Sequence, residues 1–135
     1  MATPTYNPEL VITTWAGILF QGEMDGEMIS VEFDEDAVTL HKGAKGFTTY
    51  TLNASQSAIA TVMLNQLSPT NAALSAAAAA RLKGPFLMKD TGDLTVVESA
   101  DGMIQRFTPV KRGKEIVGYE WKLILPKCIA IVGAP

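Results

Sequence analysis

The stretch from Ser57 to Pro85 restricts the fold more than any other. Within Ser57-Ala-Ile-Ala-Thr-Val-Met-Leu-Asn-Gln66, the residues Ile59, Thr61 and Met63 alternate with Ala60, Val62 and Leu64. Successive side chains of a strand point to opposite faces, so this segment reads as a strand. Both faces are largely apolar, which predicts a central strand covered on both sides. Ser68 follows as a helix N-cap, with Pro69 at the first helical position, where a missing N–H costs nothing. Ala72, Ala73, Leu74, Ala76–Ala80 and Leu82 then make a helix apolar nearly all round, closed by Gly84-Pro85. A helix without a polar face is normally buried on more than one side. Alanine also maximises helix propensity, but propensity does not explain why Glu and Lys are missing from its outer positions. Ala73, Ala77 and Ala78 are the expected contact face toward a neighbouring subunit. Nothing in the stretch resembles an active site.

The rest of the pattern is β. Residues 1–9 hold Pro4 and Pro8 and read as an extended arm. Leu10–Trp15 is rich in β-branched residues, Ala16-Gly17 turns the chain, and Ile18–Gln21 is a short second run. In Glu27–Asp34, Ile29, Val31 and Phe33 fall on a core face, while Met28, Ser30, Glu32 and Asp34 fall on a wet, negative one. Residues 36–52 form a hairpin: Ala37–Leu40 and Phe47–Leu52 flank His41-Lys-Gly-Ala-Lys-Gly46. Its arms carry few large apolar residues, so it has little core of its own. Phe86–Asp90, Leu94–Glu98 and Met103–Thr108 read as three short strands. Tyr119–Leu125 follows, with Tyr119, Trp121, Leu123 and Leu125 inward. Pro126 interrupts, leaving Lys127–Val132 as an edge strand or a strand after a bulge. With no repeat and no linker, the 135 residues read as one mainly β domain with a single helix.

Composition narrows the function. Hydrophobic residues make up 47% of the chain and charged residues only 19%, with a mean hydropathy of +0.17. No run approaches the ~20 apolar residues of a membrane-spanning helix. The apolar surplus fits subunit contacts, or simply an abundance of small residues. A net charge of −3 argues against a nucleic-acid-binding face, and Lys111-Arg112-Gly113-Lys114 is short enough to be a solvated turn. Cys128, the one cysteine, has no disulfide partner and reads as a small buried hydrophobe. Met1-Ala-Thr-Pro4 lacks the features of a secretion signal, so a cytoplasmic origin is expected.

No catalytic, cofactor or metal site emerges from the residues. The sole histidine, His41, sits on a hairpin tip where nothing can hold it against a nucleophile. One His and one Cys do not make a zinc site. Asp34-Glu35-Asp36 lacks the spaced ligands, central glycine and closing glutamate of a calcium loop. Glu32 and Asp34 share an open face rather than an apolar pocket that would raise a pKa. Gly43-Ala-Lys-Gly46 lacks both the spacing of a phosphate loop and a helix after it. The chain is not expected to be an enzyme.

A series of short motifs has a familiar order: Tyr6-Asn-Pro, Trp15-Ala-Gly17, Ile18–Gly22, Val31-Glu-Phe-Asp-Glu-Asp-Ala37, Gly43-Ala-Lys-Gly46, Ala60-Thr-Val-Met-Leu64, Ser68-Pro-Thr-Asn-Ala-Ala-Leu74 and Ile131-Val-Gly-Ala. Over residues 6–134 this resembles a family of bacteriophage structural proteins, first catalogued as a domain of unknown function, that is similar to the tail tube protein of contractile tails. The resemblance implies a β-barrel-like or sandwich-like subunit flanked by the Ala-rich helix. Hexameric rings of it would stack into a tube that closes a large barrel on oligomerisation. It implies a virion tail location after assembly in the host cytoplasm, with sheath, baseplate and tape-measure proteins as partners. It also implies that DNA passes through without specific binding, and that neither membrane nor cofactor is involved. The hairpin, with His41, Lys42, Gly43, Ala44, Lys45, Gly46 and Phe47 at its end, would reach neighbouring subunits and the next ring. The family often has charged residues where this chain has Phe47-Thr-Thr-Tyr50.

Four strands from each of six copies, at ~4.8 Å spacing and ~40–45° tilt, would close a barrel roughly 50 Å across. Its bore should avoid clustered Lys and Arg, which grip phosphate. The face of Ser30, Glu32 and Asp34 meets that condition, as would any solvated strand face. Two other readings stay open. One is the tube of a type VI secretion or other contractile injection system. The other is a monomeric β-sandwich binding module with a pocket lined by Trp15, Tyr50, Tyr119 and Trp121.

Overall fold

The computed structural model describes residues 7–23, 28–54, 56–92 and 94–133. A 3-10 turn at Pro8–Leu10, where the Asn7 side chain accepts from the Glu9 N–H, leads into β1 (Val11–Trp15) and β2 (Ile18–Leu19). Most of the expected arm, residues 1–6, lies outside the described residues. Then come β3 (Ile29–Phe33), β4 (Val38–Lys42), β5 (Thr48–Leu52) and β6 (Ala58–Asn65). After the single helix α1 (Thr70–Ala80) follow β7 (Gly84–Asp90), β8 (Thr95–Arg106), β9 (Gly118–Leu125) and β10 (Ile129–Ile131). The protein is mainly β with one helix, and its named strand pairs are antiparallel.

The strands follow the order β2-β1-β7-β8-β9-β6-β3, with β10 also on β8 and β4-β5 forming a separate ribbon. β8 belongs to both halves of this path. Its first half pairs with β7 and β10, and its second half pairs with β9, with a register shift between Ile104 and Arg106. Sheet I is therefore β2-β1-β7-β8-β10, and sheet II is β8-β9-β6-β3. A strand that passes from one sheet to the next makes the corner of a two-layer β fold. The sequence pattern suggests a break between Glu98 and Met103, but the strand runs straight through it. Gly102 is buried at the corner, where its carbonyl accepts the Trp15 indole N–H at 2.9 Å. A Cβ on Gly102 would lie 3.1 Å from Leu125 and 3.2 Å from Trp15, tighter than an ordinary contact, so a side chain there would require these neighbours to shift.

Alternation fills the core as the sequence indicates. Ala58, Ala60, Val62 and Leu64 of β6 oppose Leu125, Leu123, Trp121 and Tyr119 of β9, small against large, and all eight are buried. Trp15, Phe86 and Val97 enter the same cluster from sheet I, and Leu74 and Ala77 enter it from the helix. The other face of β6 departs from expectation. Ile59, Thr61 and Met63 are half-buried, because the helix contacts β2 and β8 and leaves this face open. Phe33, expected inward, is 38% exposed at the end of β3.

The helix ends are also built differently. The Ser68 hydroxyl accepts from the Thr70 N–H at 3.2 Å and donates to the Gln21 carbonyl, so it caps the first turn and ties it to the chain after β2. The stop is Arg81, in the left-handed region at φ 53° and ψ 46°. Its N–H reaches Ala78 O and that of Leu82 reaches Ala77 O, which is a Schellman closure. Gly84-Pro85 opens β7 instead. A Cβ on Gly84 would sit 2.4 Å from that of Ala16, so glycine is needed there for the β1–β2 turn to pack.

The corner carries the first prediction. Trp15→Phe strands the buried Gly102 carbonyl, and Gly102→Ala overpacks the contact; each should cost about 1–3 kcal/mol. Urea denaturation measures this, and an unchanged midpoint in both variants would remove the corner from its structural role.

Candidate functional site

Three exposed faces stand out among the described residues. The first is the open side of sheet II. Ser30 lies opposite Thr61, which lies opposite Lys122, and Glu32 lies opposite Ile59, which lies opposite Ile124. Ser30, Glu32, Asp34, Ile59, Thr61 and Lys122 line a shallow hollow of about 300 Å³. The structure thus brings the three expected lumen residues together on one face. It adds Lys122, which was not foreseen. The Lys122 ammonium is 3.5 Å from a Glu120 oxygen, and an exposed pair of this kind contributes little to stability. Asp34 accepts from the Ser57 hydroxyl at 2.8 Å and 3.0 Å, which fixes the carboxylate at the rim. Both sheet edges are free among the described residues: β3 pairs only with β6, and Met103–Arg106 pairs only with β9.

The second face belongs to the β4-β5 ribbon, whose strand residues are all exposed. Val38 opposes Leu52 and Leu40 opposes Tyr50, and position 42 on the same side puts Lys42 opposite Thr48. Thr39, Thr51, His41 and Thr49 fall on the other side. The sequence shows few large apolar residues here; the register shows that Val38, Leu40, Tyr50 and Leu52 share one exposed side. His41 and Lys42 lie within β4, and the turn itself spans Gly43–Phe47. Gly43 N–H donates to Phe47 O at 2.7 Å, and Gly46 takes φ +86°. Ala44 and Lys45 stand exposed in this turn, and Phe47 is 79% exposed beside them. At the base, the Asn53 side chain donates to Glu35 at 2.6 Å and the Asn53 N–H donates to Ala37 O.

The third face is the outer side of sheet I. One row across it runs Leu19, Thr14, Leu87, Glu98, Ile129, and the next runs Ile12, Lys89, Val96, Ile131. Leu19, Ile12, Leu87, Ile129 and Ile131 are exposed. Pro85, Leu87, Glu98, Ala100, Lys127 and Ile129 border a hollow of about 420 Å³ on this side. An apolar face of this extent on a monomer normally marks a contact surface. It was not singled out by sequence reasoning, although the alternation of Leu87 with Phe86 and Met88 was there to be read.

The helix differs from expectation. Ala77 is buried in the subunit's own core, Ala78 packs against it and Ala73 is half-buried; Ala72, Ala76, Ala79 and Ala80 face out. The reason is anchoring. The Trp121 indole N–H donates to Asn71 at 3.0 Å, and Asn71 donates to the Asn65 carbonyl at 2.9 Å, which turns the Ala73–Ala77 side toward the sheets. The aromatic pocket of a binding module does not form. Trp15 and Trp121 are buried core residues, whereas Tyr50 is 71% exposed on the ribbon. Burial pushes the Cys128 thiol up and keeps it protonated. Among the described residues, no three His, Cys, Asp or Glu side chains gather as a metal site would require.

The sequence matches no family model and no curated protein sequence. Solved structures do match. One is a chain in the cryo-EM structure of an extracellular contractile injection system, the PVC sheath/tube terminator in its extended state. It aligns with a TM-score of 0.66 at 12% identity, over 97% of this chain and 99% of that one. Another comes from the anti-feeding prophage cap, the AFP tube terminating cap, also with a TM-score of 0.66 at 12% identity, over 98% of this chain and 95% of that one. The protein shares their fold almost end to end.

The helix orientation gives the second prediction. Ala77→Glu buries an unpaired charge and should cost about 3–5 kcal/mol, whereas Ala79→Glu should stay within about 0.5 kcal/mol. Chemical denaturation compares them, and equal stabilities would contradict this orientation of the helix.

Proposed function

We propose that the chain is a non-enzymatic, ring-forming structural subunit of a contractile tail or injection machine, and specifically a tail tube subunit. The observation that carries this is the open four-stranded face of sheet II, with both edges free among the described residues. Strand directions alternate across β8, β9, β6 and β3. Because four is even, β3 of one copy meets β8 of the next in antiparallel sense when all copies in a ring point the same way. Six such copies give a closed barrel roughly 50 Å across, wide enough for duplex DNA inside its side chains. Ser30, Glu32 and Thr61 then line the bore, and the same row ends in Lys122, beside Glu120, and Arg106, so its cations are confined to the β8–β9 edge. Stacked rings would guide the genome and tape-measure protein within a sheath above a baseplate, in a virion tail assembled in the host cytoplasm.

The structural neighbours, a sheath/tube terminator and a tube terminating cap, support a second reading, a terminator or cap ring that ends such a tube. The two differ in propagation, since a tube subunit stacks without limit and a terminator stops at one ring. Negative-stain microscopy of concentrated protein should show tubes of varied length under the first reading and discrete rings under the second. A chain that stays monomeric defeats both.

The bore makes a prediction of its own. Ser30→Lys with Thr61→Lys should leave assembly intact but make the particles retain DNA, with retention falling as salt rises from about 50 to 200 mM. Co-sedimentation with duplex DNA reads this out. Assemblies that ignore DNA after both substitutions would show that this face is not the bore.

A further inference from the structure

Charge is divided unevenly along the chain, and the division falls on the two edges of sheet II. Residues 1–36 hold eight acids and no lysine or arginine, whereas residues 106–122 hold five cations and two acids. β3, at the end of the first segment, forms one edge of the sheet, and the end of β8, where the second segment begins, forms the other. Glu32 and Asp34 stand at the β3 edge; Arg106 stands at the β8 edge, opposite Lys122. We propose that Arg106 of one copy pairs with Asp34 of the next, and that this ion pair sets the register in which β8 takes up the neighbouring β3. The pairing rests on the ring reading and fixes what strand order leaves open, namely how far one copy slides along its neighbour.

Both groups are prepared for such a contact. Arg106 is exposed and lies directly opposite Lys122, and like charges facing each other across strands repel. Glu120 is engaged with Lys122 at 3.5 Å, so Arg106 has no acid of its own among the described residues. The adjacent row ends at Met103, by a hollow of about 380 Å³ that Lys83 shares with Asp101. On the other edge, the Ser57 hydroxyl donates to both Asp34 oxygens, at 2.8 and 3.0 Å, and the Asp34 N–H donates to the Ser57 carbonyl at 3.3 Å. A carboxylate held in this way loses little freedom when a guanidinium reaches it. The same division of charge disfavours a two-fold contact through either edge, since like would then meet like.

Barrel geometry selects Asp34 among the acids of β3 and the turn after it. Met63 lies on the open face and sends its N–H toward β3, to Met28 O at 3.0 Å. With L-residues this fixes the hand of the sheet. Seen from outside the ring with the β8–β9 loop uppermost, the order is β3, β6, β9, β8 from left to right. The right-handed twist of strands makes hydrogen-bonded rows descend to the right, toward the end of the sheet that holds Phe33 and Leu125. At the ~36° tilt of a barrel that slips one residue per strand, a four-stranded copy slips by about four. The row Ser30, Thr61, Lys122, Arg106 therefore meets the next β3 four residues beyond Ser30, at Asp34. Only even slips keep side chains on their faces, and slips of two or six would bring Glu32 or Asp36 instead. The identity of the partner acid thus measures the slip.

The test uses the full chain carrying Arg106→Glu, Asp34→Lys or both, with Glu32→Lys as the neighbouring acid. Arg106→Glu and Asp34→Lys should each raise the protein concentration needed for assembly about tenfold, read by sedimentation velocity, and the double reversal should restore most of it. At about 0.5 M salt the single reversals should differ less from the unaltered chain. Glu32→Lys should gain nothing from Arg106→Glu. Urea midpoints check that each chain folds as the unaltered one does. Should a reversal disturb the monomer, Arg106→Gln and Asp34→Asn should show the same defect in weaker form. Single reversals that assemble normally, or a double reversal as impaired as the singles, overturn the pairing and leave the ring reading standing. Rescue of Glu32→Lys in place of Asp34→Lys overturns the register. An unaltered chain that stays monomeric when concentrated overturns the ring reading and the pairing with it.

Discussion

The buried contact between the Trp15 indole and the Gly102 carbonyl organises the rest of the structure. β8 can serve two sheets only if it turns at Gly102 without opening a gap in the core, and Trp15 fills the space that a side chain on Gly102 would have taken. An unpaired buried carbonyl costs about 1–3 kcal/mol, so the indole N–H also removes a penalty that the corner would otherwise carry. Leu125 closes the same point from β9. Sheet I, sheet II and the corner strand therefore lock at one place, and the orientation of the two outer faces follows from it. If the strand ran flat, the open side of sheet II and the outer side of sheet I would be one surface. Turned at the corner, they point in different directions and can serve different contacts.

This arrangement explains why the apolar surplus of the chain does not disappear into its interior. The core takes what alternation supplies: the inward residues of β6 and β9, the two tryptophans, Phe86 and one side of the helix. Part of what is left over lies on the ribbon and on sheet I, where each strand offers its second face, while Leu67, Phe107, Val110 and Ile116 are exposed elsewhere. The small alanines on the outer side of the helix are a separate case. They expose little apolar area each and permit close approach of a neighbour without demanding one.

Much of the fold was legible because period-two alternation survives in the longest strands. Tyr119, Trp121, Leu123 and Leu125 point inward as their spacing requires, and Ser30, Glu32 and Asp34 share a face. The failures have a common origin in tertiary contacts that leave no local trace. Nothing near Gly102 signals that Trp15, far away in sequence, will let a strand continue through it. Arg81 gives no composition cue for a left-handed cap, whereas Gly84-Pro85 gives a strong one for a stop that it does not make. The helix was read as apolar all round, and only the Asn71 anchors decide which alanines face the core. On the ribbon, residue types alone suggested too little apolar surface; the register that places Val38, Leu40, Tyr50 and Leu52 together is a pairing property.

An isolated two-stranded ribbon is marginal in water, because it buries almost nothing against itself. Here it is held at the base by Asn53 and closed at the tip by the Gly43–Phe47 turn, so its conformation is set before any partner arrives. A preformed ribbon loses less conformational freedom on docking than a loop that must order itself. The same reasoning bears on its charge. A wholly apolar ribbon would bind any greasy surface in any direction, including another ribbon. One lysine among four apolar side chains makes such misplaced contacts costly.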